Sequence, residues 1–378
     1  MKRFVKIKRL VALALILAMC LSFASCEIFG AKKIKNVVLI IGDGMGLEHI
    51  EAGETVYGKN YEFTEWDSVL SDTNSLDKDG NATVVTDSAA SATAIATGTV
   101  TINGYVGRDK DGNDLETILD YAKDEGKKTG ILTTDKLYGA TPAGFSAHSD
   151  SRDNTEEIVN SQLESGVDFL CGSLSAICSQ KTDKMKENGY TYFDTIGKAK
   201  SKMNNAEKMY GQLELEGDKK GDDAVLLKDA ALVALDFLDN KNGFVLMIEQ
   251  AHVDKRSHSN DFEGMADMVN SLNETVSAVV EWAKDRNDTA IIVTADHETG
   301  GLSVGKEGEF TSKSTTKNGE NISYLYRSED HTDSQVGLYI YGTKFDFATL
   351  PNKESAELIK NADVHNIIKE ILDQPKSE

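Results

Sequence analysis

Asp87-Ser88 and the small residues that follow, Ala89-Ala90-Ser91-Ala92-Thr93, form the stretch of this chain best suited to chemistry. The small run reads as the start of a helix. Ser88 then lies where backbone N–H groups lack partners and the dipole favours anions. Asp87 could hold a cation beside the hydroxyl. A cation there lowers the pKa of a serine and makes it a nucleophile near neutral pH. The same residues also read as a capped, alanine-rich core helix, because Asp and Ser are ordinary helix-start residues.

Four other segments carry metal-ligand side chains. They are Gly42-Asp43-Gly44-Met45-Gly46, Glu249 through His258, Asp296-His297, and His331-Thr332. Asp254 and His258 are four residues apart, which places both on one side of a helical turn. Imidazole and carboxylate oxygen suit zinc. Arg152 follows His148-Ser149-Asp150-Ser151, and a guanidinium is a planar fork that grips two phosphate oxygens. Taken singly, each segment has a plainer reading. The glycine-flanked Asp43 is a tight turn, Asp296-His297 a surface turn, His331 a core or surface histidine, and Arg152 a solvated arginine among acids.

Taken together and in order, the five segments resemble the alkaline phosphatase family, from about Asn36 to about Gln335. The resemblance implies phosphate monoester hydrolysis through a phosphoserine on Ser88, at a site for two Zn²⁺ and one Mg²⁺. Asp43, Asp296 and His297, with Ser88 as a displaceable ligand, match one zinc site. Asp254, His258 and His331 match the other. Asp43, Thr141 and Glu249 match an all-oxygen magnesium site, which suits that ion. Arg152 would orient the phosphate, and Lys255 matches a position that often touches phosphate through water. The chain departs from the family at Gly139, two residues before Thr141, where Asp or His is common. His252 is near enough in sequence to stand in. Sulfatases and nucleotide phosphodiesterases resemble the same two-metal core but lack the Thr141 and Glu249 pair. A metal-dependent surface protein that only binds phosphate is the non-enzymatic alternative. Family members are often dimers, so a homodimer is possible.

The elements that must position these residues alternate between strand and helix. Strands are predicted at 36–41, 129–134, 167–170, 244–248, 290–294 and 335–341, and helices at 114–125, 223–238, 262–283 and 362–372. Alternation of this kind implies an α/β fold, a three-layer α/β/α sandwich around a central, mostly parallel sheet. Nearly every candidate ligand falls just past the C-terminal end of a strand, where open α/β sheets place their sites. One catalytic domain over 31–375 is expected, with insertions at about 181–222 and 303–330. Asp77-Lys78-Asp79-Gly80 and Asp109-Lys110-Asp111-Gly112 read as turns, since glycine is misplaced for a calcium loop.

The chain has 378 residues and a formal charge of −21. So acidic a surface argues against nucleic acid or anionic lipid as a general partner. Residues 1–25 read as a lipoprotein-type signal peptide: five basic residues, then a short apolar core from Leu10 to Leu21, then Phe23-Ala24-Ser25-Cys26. That apolar core is too short to span a membrane. Export follows, with membrane contact through lipid on Cys26; simple secretion with cleavage nearby is the alternative. Cys171 and Cys178 suggest a small disulfide loop in an exported protein; two free, buried thiols is the other reading.

Overall fold

Runs of apolar residues build the centre of the molecule. Asn-Val-Val-Leu-Ile-Ile-Gly, Phe-Val-Leu-Met-Ile-Glu-Gln and Thr-Ala-Ile-Ile-Val-Thr are strands in which every residue is buried. Continuous rather than alternating hydrophobicity marks strands covered on both faces. The computed structural model describes residues 33–217, 223–350 and 357–373. The signal peptide, Cys26 and the end of the 181–222 segment lie outside the described residues.

One sheet has ten strands, numbered here in chain order: β1 (Asn36–Gly42), β2 (Asp67–Asp72), β3 (Lys128–Thr133), β4 (Phe169–Ser173), β5 (Tyr190–Phe193), β6 (Lys208–Leu213), β7 (Phe244–Gln250), β8 (Thr289–Thr294), β9 (Val336–Tyr341) and β10 (Leu358–Lys360). Their spatial order is β10-β2-β9-β8-β1-β7-β3-β4-β6-β5. Only β9 runs against its neighbours, pairing antiparallel with β8 and β2. At the centre Val37 to Ile41 of β1 lie beside Val245 to Glu249 of β7 and Ala290 to Thr294 of β8. That register brings the C-terminal ends of β1, β7 and β8 level.

Helices cover both faces. On one side α1 (Leu47–Tyr57), α6 (Leu227–Leu238), α7 (His252–Ser257) and α8 (Phe262–Ala283) pack on Val38, Ile40, Leu246 and Ile248. On the other, α2 (Ser88–Thr97), α3 (Ile118–Asp124), α5 (Thr155–Glu164) and α9 (Asp363–Asp373) pack on Val37, Leu39, Ile41, Val245 and Met247. The short helix α4 (Ala140–Gly144) follows β3. The result is the expected three-layer α/β/α sandwich.

Three expectations change. Part of the 181–222 segment is not an insertion on the sheet but its edge, because β5 and β6 fall within it. Neither shows the apolar run of a central strand: β5 is half-buried at Thr191 and Tyr192, and Lys208, Gly211 and Gln212 interrupt β6. The insertion expected at about 303–330 is not irregular: it holds a small antiparallel sheet of Ser303–Lys306, Ser312–Thr315 and Asn321–Leu325. The disulfide is also corrected: Cys171 and Cys178 are both free thiols. Cys171 points from β4 into the core beneath α6, whereas Cys178 packs into the core on the opposite face of the sheet. The sheet itself separates them.

Candidate active site

Asp87 caps α2, its carboxylate accepting from Ala90 N–H at 2.9 Å. Ser88 is the first helical residue and 5% exposed. Its Oγ lies 3.2 Å from His297 Nε2. That nitrogen is also 3.4 Å from Asp43 Oδ1 and 3.2 Å from Asp296 Oδ2. Asp43 follows β1, and Asp296-His297 follows β8. Gly44 makes this possible: its φ is +73°, and a Cβ there would lie 2.8 Å from the Asp254 backbone. Only glycine accepts both the left-handed conformation and so close an approach.

The second cluster adjoins the first. His258 Nε2 is 3.2 Å from Asp254 Oδ1 and 3.2 Å from His331 Nε2, and His331 Nε2 is 3.5 Å from Asp254 Oδ1. The His297 and His331 rings stack with centroids 3.6 Å apart. The four-residue spacing of Asp254 and His258 across α7 does what the sequence suggested.

The far nitrogens fix which ring atoms face the pocket. His331 Nδ1 donates to the Thr86 carbonyl at 2.8 Å, and His258 Nδ1 donates to the Glu329 carbonyl. Thr299 Oγ1 donates to Asp254 Oδ1 at 2.6 Å and lies 3.2 Å from His297 Nδ1, from which it can accept. A carbonyl cannot donate, so whenever the His331 and His258 rings are neutral the proton sits on Nδ1 and Nε2 offers its lone pair inward; without a cation, the Asp254 carboxylate beside Nε2 raises His258 to about 9. His297 follows through Thr299. Tying Nδ1 in this way is how metal-binding imidazoles are oriented.

Three oxygens here have no hydrogen-bond partner: Asp43 Oδ1, Asp296 Oδ2 and Thr141 Oγ1, all buried. Leaving such atoms unsatisfied costs about 1–3 kcal/mol each unless something else fills the role. Burial, followed by the charges of Asp296, Asp254 and Glu249, holds the Asp43 carboxyl well above the usual range. Burial likewise pushes Glu249 up to about 7. Crowded carboxylates and inward lone pairs call for positive charge. Asp43, Asp296 and His297 form one compact donor group, and Asp254, His297 and His331 another. The donor chemistry fits zinc.

Glu249 is the penultimate residue of β7 and lies beside Thr133, whose hydroxyl donates to it. Thr141 stands in α4. Asp43, Thr141 and Glu249 offer only oxygen, which fits magnesium.

One expected role changes. Asp87 was expected beside a cation. Its oxygens instead accept from Ala90 N–H, from Gly104 N–H at 3.1 Å, and from Arg152 Nη1 at 3.1 Å. The carboxylate therefore aims the arginine. Burial opposes the Arg152 charge, but Asp87, Asp43 and Asp254 outweigh it and raise its pKa. Lys255, expected near phosphate, pairs with Asp135 at 2.7 Å. His252 bonds Thr134 Oγ1 through Nδ1 at 3.1 Å. Sequence reasoning missed Thr299, Thr133 and Asp135. Thr299 follows the Asp296-His297 pair by two residues, and Asp135 follows β3, so position alone could have flagged them.

Comparison with known proteins agrees with this geometry. The family model described as alkaline phosphatase matches residues 34–175 and 180–368. Alkaline phosphatase 4 of Bacillus subtilis is 35% identical over 297 residues, covering 73% of this chain and 64% of the relative. The alkaline phosphatase of Escherichia coli is 28% identical, covering 82% of this chain and 82% of the relative. The structure of alkaline phosphatase from the Antarctic bacterium TAB5 superposes with a TM-score of 0.75 at 25% identity, covering 91% and 99%. The chain spans just under two thirds of the length of the first two Bacillus subtilis relatives, 64% and 63%. With a family match over most of its length, the chain belongs to the alkaline phosphatase family.

Proposed function

We propose that this chain is an alkaline phosphatase that hydrolyses phosphate monoesters to an alcohol and inorganic phosphate through a phosphoserine on Ser88. The observation that carries the reading is Ser88 Oγ at 3.2 Å from His297 Nε2, beside two carboxylate oxygens that lack hydrogen bonds. Asp43, Asp296, His297 and Ser88 would hold one zinc ion, and Asp254, His258 and His331 a second. Asp43, Thr141 and Glu249 would hold magnesium; variants of the TAB5 relative were solved with magnesium bound in their M3 site. When bound, these ions supply positive charge to the phosphoryl oxygens and lower the pKa of hydroxyl and water.

The chain's own groups do the rest. Ser88 Oγ attacks phosphorus as the ester P–O bond breaks, and the alcohol leaves with a proton. Water then cleaves the Ser88 phosphate and restores the hydroxyl. Arg152 grips two phosphoryl oxygens, and Asp87 keeps its fork aimed. A monoester presents those free oxygens, whereas a diester presents fewer. Export and lipid attachment at Cys26 rest on the sequence of residues 1–26. Among the described residues no helix is long and apolar enough to cross a membrane.

The test is hydrolysis of an aryl phosphate monoester by signal-free protein, metal-stripped and then restored with zinc and magnesium, beside a matching diester and sulfate ester. Zinc-dependent monoester turnover far above the other two supports the reading. Preference for the diester or sulfate ester would overturn it.

A further inference from the structure

Thr141 lies one residue inside α4, and the residue that caps this helix is Gly139. A side chain there would meet the Lys136 carbonyl oxygen at 3.0 Å and Asp135 Oδ2 at 3.2 Å. The carboxylate of Asp135 thus borders the space that Gly139 leaves open. Asp135 is firmly placed. Its N–H donates to Thr133 Oγ1 at 2.8 Å, and that hydroxyl in turn donates to Glu249. Its carbonyl accepts from Ser173 N–H at 2.7 Å. Its Oδ1 lies 2.7 Å from Lys255 Nζ, the residue directly after Asp254.

The Asp135 and Lys255 side chains are 26% and 39% exposed. Pairs this wet contribute little to stability, so the value of the contact lies in placement. His252, the other candidate to replace a side chain at 139, is already bonded to Thr134. Asp135 Oδ2, by contrast, faces the space beside Gly139.

We propose that Asp135 is a positioning residue of the magnesium site: from the loop after β3 it supplies the outer carboxylate that Gly139 cannot, with Lys255 anchoring its other oxygen. This rests on reading Asp43, Thr141 and Glu249 as magnesium ligands. A hydrated, hard cation keeps several waters, and an outer carboxylate that accepts from them strengthens its binding. The chain has therefore moved a carboxylate from one loop position to another rather than lost it.

The test is magnesium affinity of the zinc-loaded chain by isothermal titration calorimetry, with zinc counted by elemental mass spectrometry. Asp135→Ala is expected to weaken magnesium binding about 10–100-fold, the usual cost of losing an outer-shell partner, with zinc content unchanged. Asp135→Ala combined with Gly139→Asp is expected to restore most of the loss. The thermal unfolding midpoint without magnesium should match wild type, which separates placement from folding. Unchanged magnesium affinity in folded Asp135→Ala would overturn the proposal while leaving the magnesium reading intact. Zinc-loaded wild type that takes up no magnesium would overturn both.

Discussion

Two buried polar regions sit side by side at the top of the sheet and differ in how their hydrogen bonds close. The first is centred on His49 of α1. Its Nδ1 accepts from Gly46 N–H at 3.2 Å, and its Nε2 lies 3.0 Å from Ser257 Oγ, which donates onward to the Val253 carbonyl at 2.8 Å. Nearby, Glu298 accepts from Gly301 and Leu302 N–H, each at 3.2 Å, and from Thr332 Oγ1. Donors meet acceptors, and one neutral tautomer of His49 satisfies both ring nitrogens. The second region is the pocket of Asp43, Asp296, His297, Asp254 and His331. There carboxylate oxygens and ring nitrogens converge, and Asp43 Oδ1 and Asp296 Oδ2 are left without a hydrogen-bond partner. Both regions use acids and histidines, and both are buried. The closed one is scaffolding. The open one awaits a ligand with positive charge.

That contrast can be broken at several points. The largest effect is expected for Ser88→Ala in the pocket, which should lower kcat by more than about 10³-fold while leaving the fold intact. Steady-state kinetics on an aryl phosphate, beside circular dichroism, checks it. Retained turnover would remove Ser88 from the chemistry.

Chelation comes next. Ions that bind only the folded chain stabilise it by mass action, on the order of 4 kcal/mol at 1,000-fold excess over Kd. Stripping metal should therefore lower the unfolding midpoint by several degrees. An unchanged midpoint would mean that the open pocket holds no ion.

The His49 region makes an opposite kind of demand. Burial drives its pKa from 6.5 down to about 4. The unfolded chain then binds the proton more readily than the folded one. The stabilisation is complete above about pH 6.5 and is lost as pH falls toward 4, by up to about 3 kcal/mol for this group. Urea unfolding between those pH values should show the loss, and His49→Gln should flatten it. Equal slopes in the two proteins would discount His49.

A smaller effect sharpens the pocket side. Asp296→Asn removes one charge from a like-charged cluster, so the metal-free protein should gain about 1 kcal/mol even as zinc affinity falls. Denaturation with and without zinc separates the two; destabilisation in both states would argue that Asp296 is scaffolding.

The smallest expected effect is none. Reducing agent should leave the unfolding midpoint unchanged, because Cys171 and Cys178 face opposite cores. A disulfide would add roughly 2–3 kcal/mol, so a clear drop would contradict the placement.

The pocket was legible in the sequence because its residues follow buried strands and therefore carry position as well as type. Asp43, Glu249 and Asp296-His297 are examples. Asp254 and His258 added helical spacing. What stayed hidden depends on contacts across the fold. The carboxylate of Asp87 reads equally as a cation ligand and as a helix cap, and only the approach of Arg152 decides between them. Thr299 bridges Asp254 and His297 across 45 residues of sequence from the former, which no local pattern reveals. Strand β5 escaped because it is a half-buried edge, and β6 because Lys208, Gly211 and Gln212 interrupt its apolar run, unlike β1 or β7. The cysteine pairing failed because seven residues of separation say nothing about which face of a sheet each thiol enters.

The most direct test of the open pocket is to look for its covalent product. Zinc-loaded protein incubated with an aryl phosphate, quenched in acid and digested, would be analysed by peptide mass spectrometry. The expected result is one phosphoryl group on the peptide that contains Ser88, absent after metal stripping. Rapid turnover with no phosphate on Ser88, or with phosphate on another residue, would contradict it.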